Sequence, residues 1–173
     1  MSSSDMPERM KQWQHYRVAH CILLSPASDS VLLVGNRWPG QVGLVWTLPG
    51  GRAEQGEPLH STLQREFGEE TGVQVSPLQL AYVAEARSEV EGKLYLTCAY
   101  LVAAEVGAEL PTNWHDPEGV VAAARFVPLS ALAAVITSPS LGLPLRYFLA
   151  HREQPARYWF FPNYNADTEH TLV

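Results

Sequence analysis

Residues 51–73 are the most informative stretch of the chain and read GRAEQGEPLHSTLQREFGEETGV. Pro58 is suited to the first turn of a helix, where its missing N–H costs no hydrogen bond. Gly72 is a typical residue for the C-terminal cap of a helix. The stretch therefore predicts a helix over residues 58–70 with a loop on either side.

One face of this helix changes from apolar to acidic along its length. At helical spacing the face carries Leu59, Leu63, Glu66 and Glu70, and Glu69 lies beside it. Solvated acids normally lie on the face opposite the apolar one. We therefore expect Glu66 and Glu70 to approach the sheet on which the helix packs.

Three carboxylates this close together repel one another, which disfavours their ionised forms. A divalent cation with oxygen ligands is the usual compensation, and Mg²⁺ is typically held by few carboxylates and by substrate phosphates. Such a site suits metal-assisted hydrolysis of phosphoryl or pyrophosphoryl groups. The alternative is an ordinary acidic helix end on the surface.

The wider spacing of the stretch resembles the Nudix box, whose pattern is G-x5-E-x7-R-E-U-x-E-E-x-G-U with U a bulky apolar residue. Gly51, Glu57 and residues 65–73 match its fixed positions, and Phe67 and Val73 occupy the two U positions. The preceding residues 46–51 and the later stretch 124–132 also resemble the family. The resemblance thus extends over about residues 17–132.

This resemblance implies a fold and an activity. Nudix domains are α/β/α sandwiches with a mixed β-sheet, and the box forms a loop–helix–loop that holds the catalytic metal. They hydrolyse a nucleoside diphosphate linked to another moiety. The implied cofactor is Mg²⁺, with Mn²⁺ as the alternative, and the implied partner is a small nucleotide-type substrate.

The resemblance also assigns roles to individual residues. Glu66 and Glu70 would be metal ligands, Glu69 would be a ligand or the base for the attacking water, and the Gly50 carbonyl would complete the ligand set. Arg65 would orient the glutamates by charge-assisted hydrogen bonds. The layer that supports the ligands would include Glu57 and Gly51.

Residues outside the box give further candidates. Many members of the family use one more acid from the loop before the last core strand, and Glu118 is preferred over Asp116 because it is nearer the strand. A solvated loop acid is the alternative. An aromatic platform could stack on a base, and the candidate substrate-binding residues are Arg37, Trp38, Tyr95 and Trp114. Packing or plain surface exposure is the alternative for each of these four.

Apolar and polar runs outside the box predict a mixed α/β or α+β domain with a mostly antiparallel or mixed sheet. Residues 17–24 and 31–34 predict a hairpin around a polar turn. Further strands are predicted at 44–48, 78–87, 94–106 and 120–127, and helices at 128–135 and 143–152. In the strand at 78–87, one face is predicted to carry Leu78, Leu80, Tyr82 and Ala84.

The domain organisation follows from length and pattern. The 173 residues suit one domain, with a polar lead-in at 1–15 and a single Nudix domain at 16–153. Residues 154–173 form an aromatic tail, which should pack on its own domain or on a partner subunit because an exposed apolar patch of that size is unfavourable. A monomer and a homodimer both remain open.

Composition limits the cellular setting and the partners. The net charge of −6 gives no electrostatic footprint for binding a nucleic-acid polymer, with a local basic patch as the alternative. The polar N-terminus resembles no signal peptide, and no apolar run is long enough to span a membrane. Cys21 and Cys98 lie in apolar segments and are predicted to be free thiols, with a disulfide between them as the alternative. We therefore expect a cytoplasmic protein.

Three functions compete at this stage. The first is a metal-dependent Nudix pyrophosphohydrolase whose substrate stays open, because no subgroup signature is present. The second is a Nudix domain that only senses nucleotides or binds a partner, which the complete set of box glutamates disfavours. The third is a diphosphate isomerase, which typically needs an active-site cysteine and is disfavoured by the apolar settings of Cys21 and Cys98.

Overall fold

The structure, a computed structural model, describes residues 12–105, 109–111, 113–163 and 171–172. The strands in these residues are β1 (Gln14–Leu23), β2 (Ser30–Asn36), β3 (Val45–Thr47), β4 (Gly50–Arg52), β5 (Val75–Ser88), β6 (Lys93–Ala104), β7 (Val121–Pro128), β8 (Arg157–Phe161) and β9 (Thr171–Leu172). The helices are α1 (Leu59–Thr71), α2 (Leu132–Val135), which follows a 3₁₀ turn (Leu129–Ala131), and α3 (Pro139–Ala150). Within the described ranges, none of these helices has the length and apolar character needed to cross a bilayer.

Two β-sheets form the framework. The larger sheet has six strands in the order β4-β1-β6-β5-β8-β9, and the smaller has the order β3-β2-β7. The larger sheet is mixed, because β1 runs parallel to β6 and β5 runs parallel to β8, while its other neighbours are antiparallel. The predicted α/β architecture with a mixed sheet is confirmed.

Helix α1 packs on one face of the larger sheet. Its fully buried Leu63 and Phe67 meet Ala19 and Cys21, which point to the same side of β1 because they are two residues apart. The helix ends at Gly72, whose N–H donates to the Gly68 carbonyl at 2.8 Å and whose φ of 72° turns the chain out of the helix. The observed bounds agree with the predicted helix to within one residue.

A second apolar core lies between the larger sheet, the smaller sheet and α3. Leu145 and Phe148 of α3 pack there with Tyr82 of β5, and Trp159 and Phe161 of β8 are buried in the same cluster. Strand β8 thus joins the larger sheet beside β5. The division of the chain at residues 15 and 153 stays a prediction.

Three local predictions are wrong. Strands β1 and β2 do not form a hairpin: they lie in different sheets and share one isolated bridge, Leu24 with Val31. The regular alternation predicted for β5 is interrupted by two register shifts, so Leu78 is 64% exposed and does not share the buried face of Tyr82. Helix α3 begins at Pro139, about one turn earlier than predicted, and keeps the buried Pro144 inside it.

Candidate functional site

An open cleft of about 910 Å³ brings most of the predicted site residues together. Its lining comes from β1, β4 and α1, from the segment 36–47, from β5 and β6, from the loop before β7 and from the start of α3. The predicted catalytic and metal-binding residues that line it are Gly50, Gly51, Arg65, Glu66, Glu69, Glu70 and Glu118.

The turn at Gly50 and Gly51 presses the backbone against the acidic face of α1. The Gly50 N–H donates a hydrogen bond of 2.7 Å to Oε2 of Glu70. Gly50 has a φ of 140°, and a Cβ atom on it would overlap the carbonyl oxygen of Ala19. A Cβ atom on Gly51 would lie 2.5 and 2.6 Å from the two carboxylate oxygens of Glu66. Both glycines are therefore required for this close approach.

Arg65 connects the acids of the box. Its Nε and Nη2 donate to the two carboxylate oxygens of Glu57 at 2.9 and 3.0 Å. Its Nη1 donates to Oε1 of Glu66 and to Oε2 of Glu69, both at 3.0 Å. Nη2 also reaches the Arg52 carbonyl at 3.1 Å. The planar guanidinium thus fixes three carboxylates at once, which a lysine could not do.

Glu57 lies behind this arrangement and outside the cleft lining. Besides Arg65, its Oε2 accepts hydrogen bonds from the Glu54 N–H and the Thr62 hydroxyl, both at 2.9 Å. The hydrogen bonds from Arg65 are the main reason that the pKa of Glu57 is lowered to about 2. Glu57 is therefore ionised at neutral pH and anchors the guanidinium.

Glu66 and Glu70, which face the cleft, have raised pKa values, in contrast to Glu57. The pKa of the Glu70 carboxyl is raised to about 8, chiefly because the group is buried, although the Gly50 hydrogen bond opposes the shift. The negative charges of Glu66, Asp116 and Glu118 add to it. Burial also raises the pKa of Glu66, against the influence of Arg65. Ionised carboxylates here would gain from a cation.

The donor set at this turn fits a hard divalent cation. Glu66, Glu70 and the Gly50 carbonyl offer only oxygen ligands, and Mg²⁺ needs only one or two carboxylates when phosphates and waters complete its shell. Across the described part of the chain, no group of three or more His, Cys, Asp or Glu side chains is arranged to hold a metal as it stands. Arg65 and the Gly50 N–H hold the carboxylates instead, so metal binding would exchange some of these hydrogen bonds for coordination.

The two loop acids have different surroundings. Asp116 is buried, and its carboxylate accepts hydrogen bonds from the Glu118, Val120 and Val121 N–H groups at 3.0, 2.7 and 2.8 Å. It therefore shapes the loop that leads into β7. Glu118 is exposed and lines the cleft.

The predicted substrate-binding residues divide into two pairs. Trp38, 45% exposed, and Tyr95 line the cleft, whereas Arg37 and Trp114 are not part of its lining. Trp114 lies against Gly72 at the end of α1, where a Cβ atom on that glycine would overlap its indole ring.

Tyr95 forms part of an aromatic cluster at the cleft. It stacks on Tyr16, with 5.4 Å between ring centroids, and the Arg52 guanidinium lies 4.3 Å from the Tyr16 centroid. Tyr95 thus already has a stacking partner on one side of its ring. Arg52, which also lines the cleft, brings a positive charge to the wall that carries the box turn.

The sequence pattern does not indicate a role for two polar residues of the cleft lining, His20 and Tyr82. Nδ1 of His20 and the hydroxyl of Tyr82 are buried and have no hydrogen-bond partner among the described residues. Burial lowers the pKa of His20 to about 4 and raises the pKa of Tyr82. In the sequence, the position of His20 inside the otherwise apolar run at 18–24 is the one feature that sets it apart. For Tyr82 the apolar strand pattern indicated only a core residue.

The sequence model of the family described as NUDIX domain matches residues 15–151. An RNA pyrophosphohydrolase from Novosphingobium aromaticivorans is 37% identical over 62 residues, which make up 36% of this chain and 37% of the relative. The matched part thus spans well under half of that protein's length.

Solved structures share the fold at low sequence identity. A NUDIX hydrolase from Nitrosomonas europaea superposes with a TM-score of 0.67 at 18% identity, covering 83% of this chain and 93% of that one. The mutator MutT protein from Bacillus halodurans gives a TM-score of 0.62 at 21% identity, covering 91% and 97%. At these low identities, the structural similarity shows a shared fold and nothing about the substrate.

Proposed function

The chain belongs to the Nudix family, and we propose that it is a divalent-metal-dependent hydrolase of diphosphate bonds. Its substrate would be a nucleoside diphosphate linked to another moiety. The observation that carries the proposal is the contact of the Gly50–Gly51 turn with the carboxylates of Glu66 and Glu70 in an open cleft. The name of the matched relative, an RNA pyrophosphohydrolase, agrees with this class of bond.

We assign the cation, Mg²⁺ or Mn²⁺, to Glu66, Glu70 and the Gly50 carbonyl. When bound, it supplies Lewis-acid stabilisation of the negative charge that develops on the diphosphate oxygens. The Gly50 N–H holds one oxygen of Glu70 and leaves the other for the cleft. Burial of Glu70 makes its ionised form costly in the absence of a cation, so the site should favour cation binding.

Arg65 and Glu57 position the ligands. Because Arg65 binds Glu57 through two nitrogen atoms, its third nitrogen is aimed at Glu66 and Glu69. Supporting hydrogen bonds of this kind keep ligands near their productive geometry. Loss of either partner should therefore reduce the rate without removing a ligand.

Two acids are candidates for accepting a proton from the attacking water. Glu69 uses Oε2 for Arg65, and its 36% exposed side chain leaves the other oxygen open to the cleft. Glu118 lines the cleft from the loop before β7. We keep Glu69 as a ligand or base and Glu118 as the further acid. On the substrate side, we retain Trp38 and Tyr95, and we give no substrate contact to Arg37 or Trp114.

The setting of the reaction is also a proposal. We place the protein in the cytoplasm, acting on small nucleotides as a monomer or homodimer. The choice among nucleoside triphosphates, nucleotide sugars, ADP-ribose and dinucleoside polyphosphates is left to a substrate screen.

The test is a hydrolysis screen over these four substrate classes with Mg²⁺, with Mn²⁺ and with a chelator. We expect at least one substrate to be cleaved with metal and none with chelator. Glu70→Gln should lose most of the activity with an unchanged circular dichroism spectrum. Glu153→Gln, which changes an exposed acid outside the cleft, should keep it.

Two results would overturn the proposal. One is full activity in Glu70→Gln. The other is tight nucleotide binding with no turnover under any metal, which would identify a binding module instead of an enzyme.

A further inference from the structure

Arg52, the last residue of β4, presents a positive charge to the cleft. In the pairing of β4 with β1 it lies opposite Val18, which also lines the cleft. Residues paired in this way point to the same face of a sheet. Arg52 is itself exposed and belongs to the lining. Its guanidinium is therefore accessible to a ligand that enters the cleft.

The charge of the lining is unfavourable for a phosphate chain. Within the described residues, the lining carries six carboxylates but two cationic side chains, those of Arg52 and Arg65. The nitrogen atoms of Arg65 already donate to three carboxylates of the box and to the Arg52 carbonyl. A cation bound at the box would offset the charge of the phosphates that it contacts. For any further phosphate, Arg52 is the positive group of the lining that has donors to offer.

The guanidinium of Arg52 is not committed to an acid of the protein. Among the residues that the structure describes, no carboxylate forms an ion pair with it. Its charge does reach Glu91, but the pKa of Glu91 is lowered chiefly by the hydrogen bond from Lys93, at 3.1 Å. Glu91 thus has a closer partner, and the N–H groups of Arg52 are left for a ligand.

Two tyrosines hold this guanidinium in place. Its central carbon lies 4.3 Å from the ring centroid of Tyr16 and 5.7 Å from that of Tyr95, and the two rings stack on each other. A cation over an aromatic ring is attracted to it. This attraction needs no hydrogen-bond acceptor, so the guanidinium keeps its donors for a group such as a phosphate. Arg52 is therefore positioned before a ligand arrives.

Arg52 is also displaced from the carboxylates of the box. Gly50, whose carbonyl we assign to the cation, lies two residues earlier in β4, at a distance of roughly 7 Å. The guanidinium extends further in the same direction, because it lies over Tyr16 and Tyr16 is in the next row of β1 beyond Val18. A phosphate at Arg52 is thus separate from the phosphates that the cation contacts.

We propose that Arg52 binds a phosphate group of the substrate that lies outside the diphosphate held by the cation at Glu66 and Glu70. This inference rests on the proposed function and narrows its substrate class. The favoured substrates carry at least three phosphates, whereas ADP-ribose and simple nucleotide sugars carry two. Two positions can supply the additional phosphate: the third unit of a phosphate chain, or the 3′ oxygen of the ribose.

Substitution of Arg52 should affect ligands with a third phosphate selectively. Arg52→Gln removes the charge and should weaken the binding of such ligands by roughly 10-fold, because a charge-assisted hydrogen bond is lost. Ligands with two phosphates should bind as they do to the wild type. Arg52→Lys keeps the charge without the paired donors and should retain part of the effect. A purely structural role would instead weaken all ligands alike.

The experiment measures equilibrium binding, with Mg²⁺, of analogues in which methylene groups replace the oxygens between phosphorus atoms, so that no probe is hydrolysed. The probes are the 5′-diphosphate, the 5′-triphosphate and the 5′-diphosphate with a 3′-phosphate, each with adenosine and with guanosine. We expect one of the two probes with a third phosphate to bind the wild type about 10-fold more tightly than the diphosphate. This advantage should disappear in Arg52→Gln, and the probe that has it identifies the position of the phosphate.

Arg125→Gln is the matched control. Arg125 is likewise exposed and lies over an aromatic ring, 4.2 Å from the centroid of Trp46, but it does not line the cleft. The control makes the same change of charge and should keep the wild-type preference for a third phosphate.

Three outcomes would overturn the inference. They are a wild type that gains nothing from a third phosphate or binds no probe, an advantage that persists in Arg52→Gln, and an equal loss of affinity for all probes in that variant. Because binding is measured without turnover, the proposed function can fail in the hydrolysis screen while the preference for a third phosphate stands. Metal-dependent hydrolysis without that preference would overturn the inference alone.

Discussion

Gly51 offers a way to move one carboxylate of the site without changing any acidic residue. A Cβ atom at this position would lie 2.5 and 2.6 Å from the two oxygens of Glu66, whereas ordinary contact begins at 3.4 Å. The carboxylate would have to retreat by about 0.9 Å, and misplacement of a reacting group by ~1 Å can cost about 100-fold in rate. We therefore expect Gly51→Ala to lower kcat by about 100-fold.

The effect on stability should be small by comparison. Gly51 does not have the positive φ that its neighbour Gly50 has, so alanine fits the backbone. The clash falls on the end of a side chain that can rotate, and a loss of ~1 kcal/mol corresponds to a fall in melting temperature of about 2–4 °C. The assay compares kcat on the best nucleotide substrate at saturating Mg²⁺ with the melting temperature of the same sample.

Gly68→Ala is the matched control, because Gly68 lies in the same box. The atom nearest to its added Cβ atom would be Nε2 of Gln74, at 2.9 Å, which is the end of a flexible side chain. Alanine inside a helix is favoured over glycine by about 1 kcal/mol. The control should keep wild-type kcat and melt slightly higher. Wild-type kcat in Gly51→Ala, or an equal loss in both variants, would refute the reasoning.

Two further predictions concern buried and paired charges. Glu57→Gln removes the charge that Arg65 contacts at 2.9 and 3.0 Å. We expect the free energy of unfolding to fall by about 1–3 kcal/mol and kcat to be lower. Wild-type values of both quantities would show that the pair does not matter. His20 has a pKa of about 4 in the fold against 6.5 for the free group. The unfolded chain therefore binds the extra proton between these values, and stability is lost as the pH falls through them. Between pH 7 and pH 5, the free energy of unfolding measured with urea should fall by about 2 kcal/mol more in the wild type than in His20→Gln. Equal decreases in the two proteins would show that His20 is not held neutral in the fold.

The helix of the box and its acidic face could be predicted because both depend on spacing along a short segment. Leu63 is buried and Glu66 and Glu70 turn towards the cleft, as the helical period requires. Gly72 ends the helix because it adopts a positive φ. Short-range geometry thus determines both the helix and the positions of its carboxylates.

Strand pairing could not be predicted because it depends on partners far along the chain. The turn between β1 and β2 resembles a hairpin locally, yet β1 pairs with β6 and β2 with β7. Burial of the apolar faces of both strands in different sheets outweighs the local turn signal. The register shifts in β5, which expose Leu78, likewise have no counterpart in a simple alternation.

The buried polar atoms of His20 and Tyr82 could not be predicted for a related reason. The two residues are far apart in the chain and lie in one row only because β6 runs between their strands. Their lack of hydrogen-bond partners among the described residues is visible only in three dimensions.

We propose that Glu66 and Glu70 hold the divalent cation used in diphosphate hydrolysis. A titration of chelator-treated protein with Mn²⁺, followed by electron paramagnetic resonance, measures this binding without turnover. We expect saturable binding to the wild type and to Glu153→Gln, and binding at least about 10-fold weaker in Glu70→Gln. Equal Mn²⁺ affinity in all three proteins would show that these carboxylates do not hold the cation.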